Sequence, residues 1–148
     1  VCKLNEANSM EFDAKTEHPV IHYIPGQESQ QKKSATMRLG AYDCELVKDS
    51  LAYELYGTKN ISERHRHRFE VNNEYLTLLE EHGLFTSGKN PETGLVEVME
   101  LPKEVHPYFI GTQAHPEFKS RLTNSAPLFK GLIAAAINKM KQMSQENG

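Results

Sequence analysis

The sequence predicts a mixed α/β domain, on three observations. Short runs rich in β-branched and aromatic residues recur at 20–24, 36–47, 84–88, 95–101 and 108–114. Segments with helical apolar spacing lie among and after them, at 50–56, at 74–82 and from 125 or 126 to about 143. Gly, Pro and Asn punctuate the joints between the two kinds of segment. At 148 residues the chain is one domain's worth, long enough to bury a core.

Composition narrows the function classes. A net charge of -3 with 25% charged residues gives no basic excess for nucleic acid or a membrane surface. No apolar run approaches the roughly 20 residues of a membrane-spanning helix, and no signal segment opens the chain. Two cysteines, Cys2 and Cys44, are too few for a disulfide framework and fit a reducing compartment, so a cytoplasmic protein is expected. Neither suits a nucleophile: Asp43 and Glu45 flank Cys44 and should suppress its thiolate, and Cys2 lacks a glycine-flanked turn.

In chain order, residues 1–12 do not read as a natural beginning. There is no initiator Met, and Val1-Cys2-Lys3-Leu4 reads as the tail of a helix, so a cut chain is expected. Glu11 on its own reads as a solvated charge. The run at 20–24, bracketed by Pro19 and Pro25, is a short strand, and 26–33 is a polar loop. The strand at 36–47 places Met37, Leu39 and Ala41 on one face, then Tyr42, Cys44 and Leu46, and a bulge near Gly40 explains the slip in phase. A short helix at 50–56 is capped by Ser50 or Asp49 and stopped by Gly57.

Residues 63–72 form an unusual basic strand. Alternation puts Arg64, Arg66 and Arg68 on one side and His65, His67 and Phe69 on the other. Such a ladder can bind phosphates, its histidines can ligate a metal, an arginine held by packing can clamp a carboxylate in bidentate fashion, or the charges can simply be solvated on an edge strand. The first two readings lack interleaved aromatics and further ligands.

The helix at 74–82 presents Tyr75, Leu78, Leu79 and His82 on one face, with Asn72 or Asn73 as cap and Gly83 as stop. A hairpin turn at 90–94 joins the strands at 84–88 and 95–101. The last helix carries Phe129, Leu132, Ile133, Ala136, Ile137 and Met140 as a stripe spaced for burial, with Pro127 tolerated in its first turn.

The chemistry concentrates at His115-Pro116-Glu117. Proline disfavours the helical region for the residue before it, so His115 is expected to be extended, with Glu117 on the same side. A carboxylate on one imidazole nitrogen fixes the tautomer and raises the basicity of the other, which is the base and orienter pair a nucleophile needs. His18-Pro19 and His106-Pro107 repeat the dipeptide without the acid and read as turn residues.

Taken together, Ser9-Met10-Glu11-Phe12, Thr36-Met37-Arg38-Leu39-Gly40, Glu63-Arg64-His65-Arg66-His67-Arg68-Phe69-Glu70-Val71-Asn72 and Gln113-Ala114-His115-Pro116-Glu117-Phe118 resemble, in that order, the glutamine amidotransferase domain of the CTP synthase family. The His-Pro-Glu element is shared by all class I amidotransferases, whereas the Arg-rich stretch and the Thr-Met-Arg-Leu-Gly loop are narrower. The resemblance covers nearly the whole chain. It implies a three-layer, flavodoxin-like α/β fold with a central sheet, of which residues 1–148 are the C-terminal portion.

The same resemblance implies a function. Glutamine is hydrolysed to glutamate and ammonia, and the ammonia passes to an ATP-dependent synthetase domain that aminates UTP to CTP. His115 matches the general base, Glu117 its orienter, Glu11 the acid on the substrate's α-amino group and Arg68 the arginine at the glutamine site. Arg38 lies in a loop like one implicated in activation by GTP. No cofactor or metal is implied for this portion, Mg-ATP belongs to the synthetase domain, and that domain is where a homo-oligomer would form. Nucleic acid and membrane partners are not expected.

Two departures stand out. Position 114 is Ala where many members carry Phe, a change in the packing behind the base. The family's Gly-x-Cys-x-Gly nucleophile turn is absent and by spacing would lie shortly before Val1, and the synthetase domain is absent too. The 148 residues alone are therefore expected to be inactive as a glutaminase. The alternative is an interaction or regulatory module that keeps the fold without the nucleophile.

Overall fold

The computed structural model describes residues 2–23 and 37–146. Ile24 and Pro25, the loop expected at 26–33, Thr36 of the Thr-Met-Arg-Leu-Gly segment and residues 147–148 lie outside the described residues. Cys2, Lys3 and Leu4 are irregular, not the end of a helix.

Two sheets share the chain. The smaller holds β1 (Asn8–Ser9), β2 (Pro19–Tyr23) and β5 (Phe69–Val71) in the order β1-β2-β5, with β1 parallel and β5 antiparallel to β2. The larger holds β3 (Arg38–Leu46), β4 (Asn60–His67), β6 (Phe85–Lys89), β7 (Val96–Glu100) and β8 (Ile110–Thr112) in the order β4-β3-β6-β7-β8, all antiparallel. Just past β8, Ala114 forms a bridge with His65 of β4, so the two edges of the larger sheet meet. The basic strand expected at 63–72 is thus two strands in two sheets, with Arg68 at the switch.

β3 corrects the expected bulge. Its pairing with β4 runs in unbroken register from Arg38 opposite His67 to Glu45 opposite Asn60, and Gly40 absorbs the local irregularity at a φ of +102° that side chains avoid. One face turns inward throughout, carrying Arg38, Tyr42, Cys44 and Leu46, while Leu39 is 56% exposed. Arg38 belongs to the inward face together with Cys44 and Leu46. It points inward because buried carboxylates wait for it there.

The helix ends follow local chemistry. The Ser50 hydroxyl accepts from Tyr53 N at 3.1 Å at the start of α1 (Leu51–Tyr56), and the Glu100 carboxylate accepts from Leu51 N and Ala52 N at 2.7 and 3.1 Å. An acceptor pair there satisfies free N–H groups and sits at the positive end of the helix dipole. Asn72 caps a 3₁₀ turn, Asn73–Tyr75, that leads into α2 (Leu76–Glu81). The buried anchor of α2 is Leu76; of the face expected from Tyr75, Leu78, Leu79 and His82, Leu79 packs against the same cluster, Tyr75 and Leu78 are half-buried and His82 is exposed. In the β6–β7 hairpin, Asn90 Oδ1 accepts from Glu92 N and Thr93 N at 3.1 and 2.9 Å.

β7 is buried along its whole length, and its neighbouring side chains serve opposite faces. Val98 packs with Cys44, Leu46 and Ala52 of α1. Met99 packs with Leu76 of α2 and Val96. Helices therefore cover the sheet from both sides.

The last helix, α3 (Pro127–Glu146), packs the other way round from its stripe. Phe129, Leu132, Ile133, Ile137 and Met140 are 41–61% exposed, whereas Leu128 and Gly131 are buried. A Cβ at Gly131 would lie 2.6 Å from Leu55 of α1 and 2.9 Å from Tyr108, so the small face is what permits the close approach. The Tyr108 hydroxyl also donates to Leu128 O at 2.5 Å. Apolar spacing located the stripe, but a glycine decided which face meets α1.

Candidate active site

The meeting of the sheet edges is what places His115. Its backbone N donates to Arg64 O at 2.8 Å, next to the Ala114 bridge. Its φ of -110° and ψ of 81° are non-helical, in line with the constraint from Pro116. Pro116 then opens a 3₁₀ turn, Pro116–Phe118. Glu117 therefore reaches His115 by a turn and not by strand alternation, which corrects the route but keeps the contact: Nδ1 and Oε1 are 2.7 Å apart. The Phe118 ring stacks on the imidazole, with centroids 5.3 Å apart and planes 20° from parallel.

The His115 hydrogen bond holds the Glu117 carboxyl below the usual carboxylate range. With Nδ1–H donated to that carboxylate, the lone pair of the neutral ring lies on Nε2. The His115 and Glu117 side chains are 38% and 53% exposed, so Nε2 has access to a reactant.

At the junction of the two sheets lies a cleft of about 470 Å³. Glu11, Arg66, His67, Arg68, Phe69 and Gln113 line it. Glu11 and Arg68, more than fifty residues apart in sequence, thus share one cavity. His115 does not line it, but Gln113, two residues before it, does.

Behind the cleft is a buried charge network that sequence reasoning missed. Glu70 is fully buried and accepts from Arg38 Nη1 at 2.9 Å and from Gln113 Nε2 at 3.1 Å, while His67 Nε2 lies 2.8 Å from Oε1. Arg38 Nη2 donates to Glu97 at 2.6 Å, and its guanidinium lies 4.3 Å from the centre of the Tyr42 ring. Arg38 is 7% exposed with both terminal nitrogens engaged. The resemblance described its segment as a loop, whereas the strand read from the residues at 36–47 is the one present, with Arg38 as the first residue of β3.

Burial, reinforced by Arg38 and His67, pulls the His65 imidazole down to about 4. Burial also pushes Glu97 upward, against the pull of Arg38. Arg38 resists the downward pull of its own burial because two carboxylates hold its proton. Among the described residues no group of three or more His, Cys, Asp or Glu is placed to hold a metal ion.

Cys44 stands apart from His115. Cys44 is 3% exposed, and burial, with Glu97 next, pushes its thiol up to about 12. It pairs with Ile61, four ladder positions from the His65 level, ~13 Å along the strand at about 3.3 Å per residue. Cys2 is half-buried in the irregular start of the chain.

Comparison with known proteins gives this geometry a family. Residues 6–135 match the family described as glutamine amidotransferase class-I. The CTP synthase of Methanococcus maripaludis is 59% identical over 139 residues, 94% of this chain and 26% of that protein. That of Flavobacterium johnsoniae is 50% identical over 137 residues, 93% of this chain and 25% of that protein. The chain thus spans about a quarter of the length of these curated relatives. The glutaminase domain of a Trypanosoma brucei CTPS, solved with bound acivicin, superimposes with a TM-score of 0.84 at 33% identity, over 93% of this chain and 53% of that one. The α/β fold is that of the class I amidotransferases, and the chain belongs to that family, in the branch formed by the glutaminase domains of CTP synthases.

Proposed function

We propose that these residues supply the base and much of the substrate cleft of a glutaminase that feeds ammonia to CTP synthesis. The observation that carries the reading is the 2.7 Å His115–Glu117 pair, two residues beyond the Gln113 that lines a cleft gathering an acid and a basic cluster. An α-amino acid presents a cation and an anion together, and Glu11 and Arg68 answer those charges, with Arg68 as the carboxylate clamp.

In the proposed reaction a cysteine thiolate attacks the amide carbon of glutamine. His115 gives a proton to the departing nitrogen, ammonia leaves and a glutamyl thioester remains. Water, deprotonated by His115, attacks the thioester, releases glutamate and restores the thiolate. Glu117 keeps Nε2 aimed and stabilises the imidazolium that forms. Neither cysteine present suits the attack, Cys44 because of its burial and raised thiol pKa and Cys2 because it lacks the glycine-flanked turn that would expose a nucleophile. The nucleophile is therefore assigned to a Gly-x-Cys-x-Gly turn outside these 148 residues, which alone would be inactive.

The rest of the proposal concerns the whole protein. A synthetase domain would consume the ammonia in the Mg-ATP-dependent amination of UTP to CTP, carry the homo-oligomer contacts and work in the cytoplasm, with GTP as activator. Arg38 would serve that response only indirectly, as a strut, since two carboxylates occupy it. The test is ammonia release from L-glutamine by the purified chain and by a polypeptide joining it to the nucleophile turn. The first should be inactive, and the second active and dependent on His115. Activity in the first, or activity in the second that survives His115→Ala, would overturn the reading.

A further inference from the structure

We infer that Gln113 is a substrate-positioning residue, held by Glu70 with its carbonyl toward the cleft to accept from the α-ammonium of the amino acid. The inference rests on the proposed glutamine site and extends it to a residue that the His-Pro-Glu motif does not include.

Gln113 Nε2 donates to Glu70 Oε2 at 3.1 Å and to Phe69 O at 3.4 Å. Both partners are pure acceptors, so the amide has only one orientation that satisfies them, with nitrogen toward β5 and oxygen away from it. Glu70 is itself immobilised by Arg38 and His67 and is 0% exposed. The Gln113 side chain lines the same cleft as Glu11 and Arg68.

An ammonium has three N–H donors and needs more than one acceptor. Glu11 supplies a charged acceptor, and the locked Gln113 carbonyl supplies a second that cannot flip to present a repelling NH₂. Glu70 is thus the support that converts an ambiguous amide into a fixed acceptor. The same bonds draw the cleft wall from β5 to the segment that ends in His115, so the substrate's head group and the base share one frame.

The test is a binding cycle on the full chain, titrating L-glutamine and its α-desamino analogue 4-carbamoylbutanoate by calorimetry. The proteins are wild type, Gln113→Met, Glu70→Gln and Arg68→Ala. A hydrogen bond to a charged group corresponds to about tenfold or more in affinity. Gln113→Met and Glu70→Gln should each weaken L-glutamine by about tenfold and leave 4-carbamoylbutanoate unchanged, because that ligand has no ammonium to lose. Arg68→Ala should weaken both ligands, since both keep the carboxylate. Equal losses for both ligands in Gln113→Met, or no loss at all, would overturn the Gln113 inference while the glutamine site stands. No glutamine binding by the wild-type chain, or binding unaffected by Arg68→Ala, would overturn the site and the inference with it.

Discussion

The buried histidine of the network gives the protein a specific pH dependence of stability. His65 is 3% exposed and its imidazole is pulled down to about 4 from an ordinary 6.5, by burial first and then by Arg38 and His67. Glu70 pulls the other way, and His115 adds a small further depression. Above pH 6.5 neither folded nor unfolded protein binds a proton at His65, and its contribution is constant. As pH falls below 6.5 the unfolded chain takes up a proton that the folded protein refuses, so stability is lost until the folded form also protonates near 4. At about 1.36 kcal/mol per unit, the drop amounts to about 3 kcal/mol between pH 7 and pH 4.

The assay is urea unfolding followed by circular dichroism across that range, for wild type and His65→Asn. Wild type should lose about 3 kcal/mol more than the variant. Glu117, whose carboxyl is depressed, adds a loss of the same sign as pH falls toward its folded value, but it is common to both proteins. Glu97 faces His65, with Nδ1 and Oε2 3.6 Å apart, and its raised carboxyl acts in the opposite sense. Repeating the pair in a Glu97→Gln background separates the two. Parallel profiles for wild type and His65→Asn in both backgrounds would refute the reasoning.

Other expectations follow from single contacts. Glu70→Ala strands three donors, and removing one partner of a buried ion pair should cost about 3–5 kcal/mol in urea unfolding, with less than 1 kcal/mol contradicting the network. Gly131→Val places a side chain against Leu55 and Tyr108 and should destabilise by about 1–3 kcal/mol, whereas Ile133→Ala, at an exposed position, should change the same midpoint little. Ser50→Ala removes a helix cap and should cost about 1 kcal/mol. A thiol reagent should titrate Cys2 in the folded protein and reach Cys44 only on unfolding, so the Cys2→Ser protein should be unreactive until denaturant is added.

What the sequence made legible is what short-range chemistry determines. The caps at Ser50 and Asn72, the Asn90 turn and the His115–Glu117 contact each involve residues two or three apart, and each is present. What it hid depends on distant partners. Arg38 reaches residues 32 and 59 positions away, so the sequence held no sign of the two carboxylates it bridges, and resemblance alone offered a role for it, in the response to GTP. The sheet switch at Arg68 is invisible to alternation, because β4 and β5 each alternate correctly within their own sheet. In α3, periodicity gave the direction of the apolar stripe but not the side on which α1 would pack. Glu11 and Arg68 were named by resemblance alone, and their common cleft exists only once the two sheets meet.

The central claim is that His115 serves as the base of a glutaminase. It is tested most directly by measuring ammonia release from L-glutamine on protein purified from its own source, with the intact mass of the same sample. Release is expected only from a polypeptide longer than the 16.8 kDa of these residues, with loss of that release in His115→Ala. Release from the 16.8 kDa chain itself, or release untouched by His115→Ala, would contradict it.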